Sequence, residues 1–151
     1  MKKLCRVLGS FFYLGALPAG GTWGSAAGWT IAWIFPAKGF LLLLPFCAMG
    51  YALTLVAEES FGSRDPGAFV WDEVCGMMLS VLWLPKNLTV CAAAFALFRV
   101  LDIWKPWPIS MLQKMKHPFS IMHDDLAAGF ASRLELALGR DSRVPDAQIP
   151  G

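Results

Sequence analysis

Three short segments hold most of the side chains in this sequence that could bind a metal ion or a phosphate. Asp65, Asp72 and Glu73 fall in "DPGAFVWDEVCG". Arg99, Asp102 and Lys105 fall in "FRVLDIWKPWPI", and Asp124 and Asp125 in "MHDDLAAG". Carboxylates are hard oxygen donors, the type Mg²⁺ prefers. Asp72 and Gly76 are four apart, so a helix sets them on one face, and the glycine leaves room for another backbone or a ligand. Asp72 and Glu73 therefore read either as metal ligands or as a solvated helix entrance with a favourable dipole. Arg99, Asp102 and Lys105 recur at steps of three and lean to one face near a helix end. That face suits a phosphate gripped by Arg99 and Lys105, with Asp102 binding metal or orienting the arginine. It equally suits a snorkelling Arg–Asp pair anchored by Trp104 and Trp107 at headgroup level. Asp124 and Asp125 begin a helical pattern, as an N-cap with an exposed neighbour or as further metal ligands. A fourth segment, "GTWGS", offers the hydroxyls of Thr22 and Ser25 and backbone N–H groups at a helix start. That setting favours an anion, or simply a cap and a close helix contact. His117 and His123 flank the paired aspartates and read as structural or interfacial. No nucleophile elbow, phosphate-cradling glycine loop or zinc-binding helix is present.

The elements that must position these groups are unusually apolar. Hydrophobic residues make up 56% of the 151 residues and charged residues 16%, against about 25% charged in a soluble domain. Mean hydropathy is +0.52. A membrane protein of one domain is the expectation. A net charge of +2, without a dense basic run, argues against a nucleic-acid partner. The four cysteines form no metal-binding or redox spacing and read as reduced packing residues. The basic, then apolar N-terminus "MKKLCRVLGSFFYLGALPAG" imitates a secretory signal. It is read as retained, because "GTWGS" directly after it must be held in place.

Residues Gly39 to Ala57 carry no charge and give the clearest spanning helix, with a kink expected at Pro45. A shorter apolar helix precedes it, "TWGSAAGWTIAWIFPA". Two more follow, "FVWDEVCGMMLSVLWL" and "LTVCAAAFALFRVLDIW", on either side of the turn "PKN". With Lys2, Lys3 and Arg6 in the cytoplasm, alternating helices put only Lys38 and Lys86 at the outer turns. The other basic residues of this region fall on the inner side, which satisfies the positive-inside rule. The same alternation gathers all four polar segments at one membrane face. Carboxylates from separate segments meeting there are costly unless cations neutralise them, which favours the metal reading. "SMLQKMKHPFS" reads as a basic interfacial segment, and "DDLAAGFASRLELALG" as a last helix ending at Gly139 and too charged to span. The expected fold is all-α. It is a small polytopic membrane bundle of about four short spanning helices plus a C-terminal helix, with residues 1–139 as one domain and 140–151 as a disordered tail.

The set "GTWGS", "DPGAFVWDEVCG", "FRVLDIWKPWPI" and "IMHDDLAAG", in this order and spacing, resembles the phosphatidylglycerophosphatase A family over roughly Leu17 to Gly129. The resemblance implies a small helical protein of the bacterial inner membrane. It implies a Mg²⁺-dependent hydrolase of phospholipid metabolism that converts phosphatidylglycerophosphate to phosphatidylglycerol and phosphate. Asp65, Asp72, Glu73, Arg99, Asp102, Lys105, Asp124 and Asp125 stand at matching motif positions, as do Thr22 and Ser25. Asp65, Asp72, Glu73, Asp124 and Asp125 are then the expected metal ligands. Asp72, Glu73, Asp102, Asp124 and Asp125 are the expected catalytic groups, and Arg99, Lys105, Thr22 and Ser25 the expected phosphate contacts. Two departures stand out. Gly20-Gly21 precede Thr22 where the family has Pro-Gly, and "HPFSIMHDD" replaces a glycine-rich approach to the aspartates. Pro118 and Phe119 are expected to stiffen that approach. The competing expectations are a non-catalytic membrane subunit or transporter with paired internal charges, and a peripheral hydrolase of small phosphomonoesters.

Overall fold

The computed structural model describes residues 2–35, 39–63, 66–113 and 117–141. Among them every regular element is helical: α1 (Lys2–Gly9), a short 3₁₀ turn (Leu14–Ala16), α2 (Gly20–Ile34), α3 (Gly39–Phe61), α4 (Trp71–Val81), α5 (Leu88–Trp104), α6 (Ile109–Gln113) and α7 (Ser120–Asp141). The all-α expectation holds. The expected α5 matches residue for residue, because both its ends carry strong local signals. Asn87 caps it, its side chain accepting from the N–H groups of Thr89 and Val90 at 2.9 and 3.4 Å. At the other end Lys105 turns left-handed, φ 42°, and its N–H closes on the Leu101 carbonyl. Pro106 cannot continue the helix.

Helix α4 is the hub. It runs only 11 residues, a rise of roughly 16 Å, because Trp83 adopts φ 59° and Pro85 follows. The expected helix over 69–84 is therefore shortened at both ends, to about half of a hydrocarbon core of about 30 Å. Nearly every residue of α4 is buried, since α2, α3, α5 and α7 all pack around it. Close approach explains how so short a helix is enclosed. A Cβ on Gly28 of α2 would lie 2.4 Å from the Val74 carbonyl oxygen, and one on Gly129 of α7 would lie 2.2 Å from that of Gly76. Deeper in the bundle Ser80 and Ser132 share a hydrogen bond of 2.8 Å, and Ser132 donates on to the Ala94 carbonyl at 3.3 Å. That relay satisfies polar groups from α4, α5 and α7 in an apolar setting.

Helix α3 spans 23 residues with a mean hydropathy of 2.1 in its most apolar window, and is the one described helix long and apolar enough to cross a membrane. Pro45 lies inside it, and Trp71 stacks on Phe46 at 5.3 Å while donating to the Phe46 carbonyl. Sequence reasoning missed α1. It is part of the fold, beside the C-terminal end of α3: Lys2 pairs with Glu59 at 2.8 Å, and Arg6 Nε donates to the Ser60 carbonyl. The Val70 N–H binds the Gly9 carbonyl, tying α1 to the entrance of α4.

Two expectations for α7 are corrected. Asp124 and Asp125 do not cap it; the helix starts at Ser120, a full turn earlier, where the N–H groups of Met122 and His123 close on the Phe119 carbonyl. Nor does Gly139 end it, since helical geometry continues to Asp141; an interior glycine costs only about 1 kcal/mol. The rest of the expected tail, the outer-turn Lys38, and Asp65 lie outside the described residues, as do Lys114 and Lys116.

Candidate active site

The first turn of α4, the last turn of α5 and the second turn of α7 meet at one end of the bundle. Asp72 and Glu73 enter from α4, where the helix's positive end favours carboxylates. Asp125 comes from α7, whose backbone crosses α4 so closely that a Cβ on Gly76 would lie 2.6 Å from the Asp125 carbonyl oxygen. One carboxylate oxygen from each of Asp72, Glu73 and Asp125 falls within 4.8 Å of the other two. Asp72 Oδ1, Glu73 Oε2 and Asp125 Oδ2 are buried and have no hydrogen-bond partner. Buried carboxylate oxygens left unpartnered and crowded together are expensive. A divalent cation removes both costs. Opposite donors of an octahedral Mg²⁺ stand roughly 4.2 Å apart at bonds of about 2.1 Å, so the separations, the oxygen-only donor set and the burial all fit that ion.

A second set lies against the first. Arg99 donates through Nη1 to Asp102 Oδ2 at 2.5 Å. Lys105 donates to Asp124 Oδ2 and stands 3.9 Å from Asp102 Oδ1. The left-handed cap explains how Lys105 gets there, since it folds the end of α5 toward α7. Burial alone would lower the Lys105 ammonium, but the Asp124 hydrogen bond and the charges of Asp124, Asp125 and Asp102 outweigh it and hold it up at about 12. Lys105 is therefore a fixed cation throughout the neutral range. The Arg99 side chain retains 17% exposure, enough for an incoming group to reach it.

The structure thus brings together Asp72, Glu73, Arg99, Asp102, Lys105, Asp124 and Asp125. The "GTWGS" residues divide. Ser25 is fully buried, and its hydroxyl is spent on the Gly21 carbonyl at 2.8 Å, as a helical serine readily does. Thr22 is exposed. The residue of this segment that touches the site is Gly21, which sequence reasoning passed over. A Cβ there would sit 2.5 Å from Glu73 Oε1 and 3.1 Å from Arg99 Nη1. The doubled glycine before Thr22 was the available signal. Both histidines pack away from the cluster, His117 against Phe119 at 4.6 Å and His123 against Tyr51 at 5.5 Å.

Comparison with known proteins gives one family model and relatives that carry two different names. The family model for phosphatidylglycerophosphatase A matches residues 7–140. A phosphatidylglycerophosphatase A of Escherichia coli K12 is 37% identical over 119 residues, covering 74% of this chain and 69% of that one. Its counterpart in Haemophilus influenzae is 38% identical over 118 residues, covering 74% and 72%. A putative phosphatidylinositol-3-phosphatase of Bacteroides thetaiotaomicron is 31% identical over 151 residues, covering 89% of this chain and 92% of that one. No solved structure matches the chain. With a match that takes in every described site residue, the chain belongs to the phosphatidylglycerophosphatase A family and is a phosphatase.

Proposed function

We propose that this phosphatase removes the terminal phosphate of phosphatidylglycerophosphate in a Mg²⁺-dependent reaction, working at the cytoplasmic face of a bacterial inner membrane. The observation that carries the proposal is the pairing of two unlike halves in one site. Three carboxylates, each with a buried and partnerless oxygen, lie beside an arginine and a lysine that are already oriented.

Asp72, Glu73 and Asp125 would hold the Mg²⁺. When bound, the ion supplies Lewis-acid polarisation of phosphoryl oxygens. Arg99 keeps one N–H on Asp102, which fixes the plane of the guanidinium and leaves its other donors for a phosphate, two at a time. Lys105, held by Asp124 and Asp102, adds a point charge where negative charge builds on the transferring group. Asp102 is thereby an orienting residue for both cations. Gly21, with no Cβ, lets Glu73 and Arg99 lie directly against the start of α2.

The site also suits a substrate anchored in lipid. Ile103 and Trp104, between Asp102 and Lys105, are 67% and 81% exposed, and Trp107 is 77% exposed. Such a rim can rest at the membrane interface while acyl chains stay in the hydrocarbon. On this reading α3 crosses the bilayer and the other helices form a multi-pass bundle around α4, with Leu41, Leu44 and Leu55 of α3 facing lipid. The name of the Bacteroides relative supports a second headgroup, a 3-phosphorylated inositol lipid.

Phosphate release from phosphatidylglycerophosphate in mixed micelles, with Mg²⁺ and with EDTA, tests the proposal. Turnover is expected only with the metal. Undiminished turnover in EDTA would remove the metal from the mechanism. Faster release from phosphatidylinositol 3-phosphate than from phosphatidylglycerophosphate would transfer the assignment to the second lipid.

A further inference from the structure

The site has five carboxylates from three helices, and they are not equivalent. Asp72, Glu73 and Asp125 form the one group among the described residues with ligand-type spacing. Asp102 and Asp124 are engaged by protein cations instead. Arg99 takes Asp102 Oδ2, Lys105 takes Asp124 Oδ2, and the same ammonium stands 3.9 Å from Asp102 Oδ1. Asp102 in turn lies against Asp125. Lys105 Nζ therefore occupies the space between two carboxylates that adjoin the metal-type trio. In many phosphatases that space holds a second ion, about 3.5–4 Å from the first and sharing a carboxylate with it.

We infer that Lys105 is a built-in replacement for a second metal ion, so that this site takes one divalent cation, held by Asp72, Glu73 and Asp125. The inference rests on the metal reading of the trio given above. Its physical basis is competition for the same lone pairs. A tethered ammonium at near-contact distance from both carboxylates need not be recruited from solution. The left-handed end of α5 places the Lys105 Cα beside the site, and the contacts with Asp124 and Asp102 hold the ammonium there. A divalent ion would have to displace the ammonium against its attraction to both carboxylates.

Counting bound Mn²⁺ by electron paramagnetic resonance on the full chain in detergent tests this without reference to turnover. The wild type is expected to bind one Mn²⁺ per chain with a simple six-line-derived spectrum. Lys105→Met, which keeps the apolar stem and removes the charge, is expected to bind two, with the exchange broadening of neighbouring ions. Lys105→Arg is expected to stay at one. Two ions in the wild type would overturn the inference and leave the metal reading standing. No bound ion would overturn both. A single ion in folded Lys105→Met, judged by an unchanged helical circular dichroism spectrum, would also overturn it. If that variant does not fold, the wild-type count decides alone.

Discussion

At the scale of single residues, the site separates groups by what their neighbours leave undone. Asp72 and Asp125 are buried and end in unpartnered oxygens. Removing either charge strips a donor that nothing else nearby can replace. Asp72→Asn and Asp125→Asn are each expected to lower kcat/KM by at least about 10²-fold while leaving expression and extraction unchanged. Near-normal phosphate release from both variants would refute the metal role. Arg99 makes a different demand. Its pairing with Asp102 holds a planar fork, and an ammonium cannot reproduce two parallel N–H donors. Arg99→Lys is expected to cost roughly 10²-fold in kcat, on the scale of a lost transition-state donor. Activity within a few-fold of wild type would return Arg99 to a snorkelling role, which lysine fills equally well.

At the scale of elements, catalysis depends on how closely three helices approach. The trio has ligand spacing because α7 crosses α4 with almost nothing between the backbones. Adding a methyl at Gly129 would force it to 2.2 Å from the Gly76 carbonyl oxygen, and a backbone atom cannot yield as a flexible side chain can. Overpacking of this kind typically costs about 1–3 kcal/mol. It would also shift Asp125 relative to Asp72, so that metal affinity falls along with stability. Gly129→Ala is expected to lower the thermal midpoint in detergent and to raise the Mg²⁺ concentration for half-maximal activity several-fold. Gly139→Ala is the control. Among the described residues nothing lies within 4 Å of a Cβ built at Gly139, and alanine is the better helix former, so stability should hold or rise slightly. Equal behaviour of the two variants would show that the α4–α7 crossing does not position the trio.

At the scale of the whole molecule, the arrangement of helix ends implies a sidedness. Lys2 and Arg6 of α1 contact the end of α3 at Glu59 and Ser60, and α1 is tied to the entrance of α4 that carries Asp72. Basic residues near the membrane stay cytoplasmic. In a cysteine-free background, a cysteine at Gly39 or Asn87 is therefore expected to react with an impermeant maleimide added outside spheroplasts. One at Ser63 should react only after the membrane is opened. The reverse pattern would put the site on the opposite face. Loss of all membrane association on carbonate washing would contradict a spanning α3.

The sequence by itself determined the helical class, the limits of α5 and the family, and it singled out the acidic and basic residues that the fold gathers. Each of these is carried by local chemistry: an Asn cap, a proline stop, charges at steps of three, motifs of a dozen residues. Other features were decided only by tertiary structure. The chain pattern makes α4 look like one apolar span among four, and only packing shows it to be a short, enclosed hub. "MHDDLAAG" looks like a helix start, yet α7 begins a turn earlier, because the turn over Phe119 closes before the aspartates are reached. Spacing does not show which carboxylates are free for a metal and which are held by Arg99 and Lys105. Charges at i and i+3 lie on one face whatever they bind. The Arg99–Asp102 pair is local to α5, but Asp124 reaches Lys105 from α7, and where α7 lies is set by where glycine lets the backbones meet.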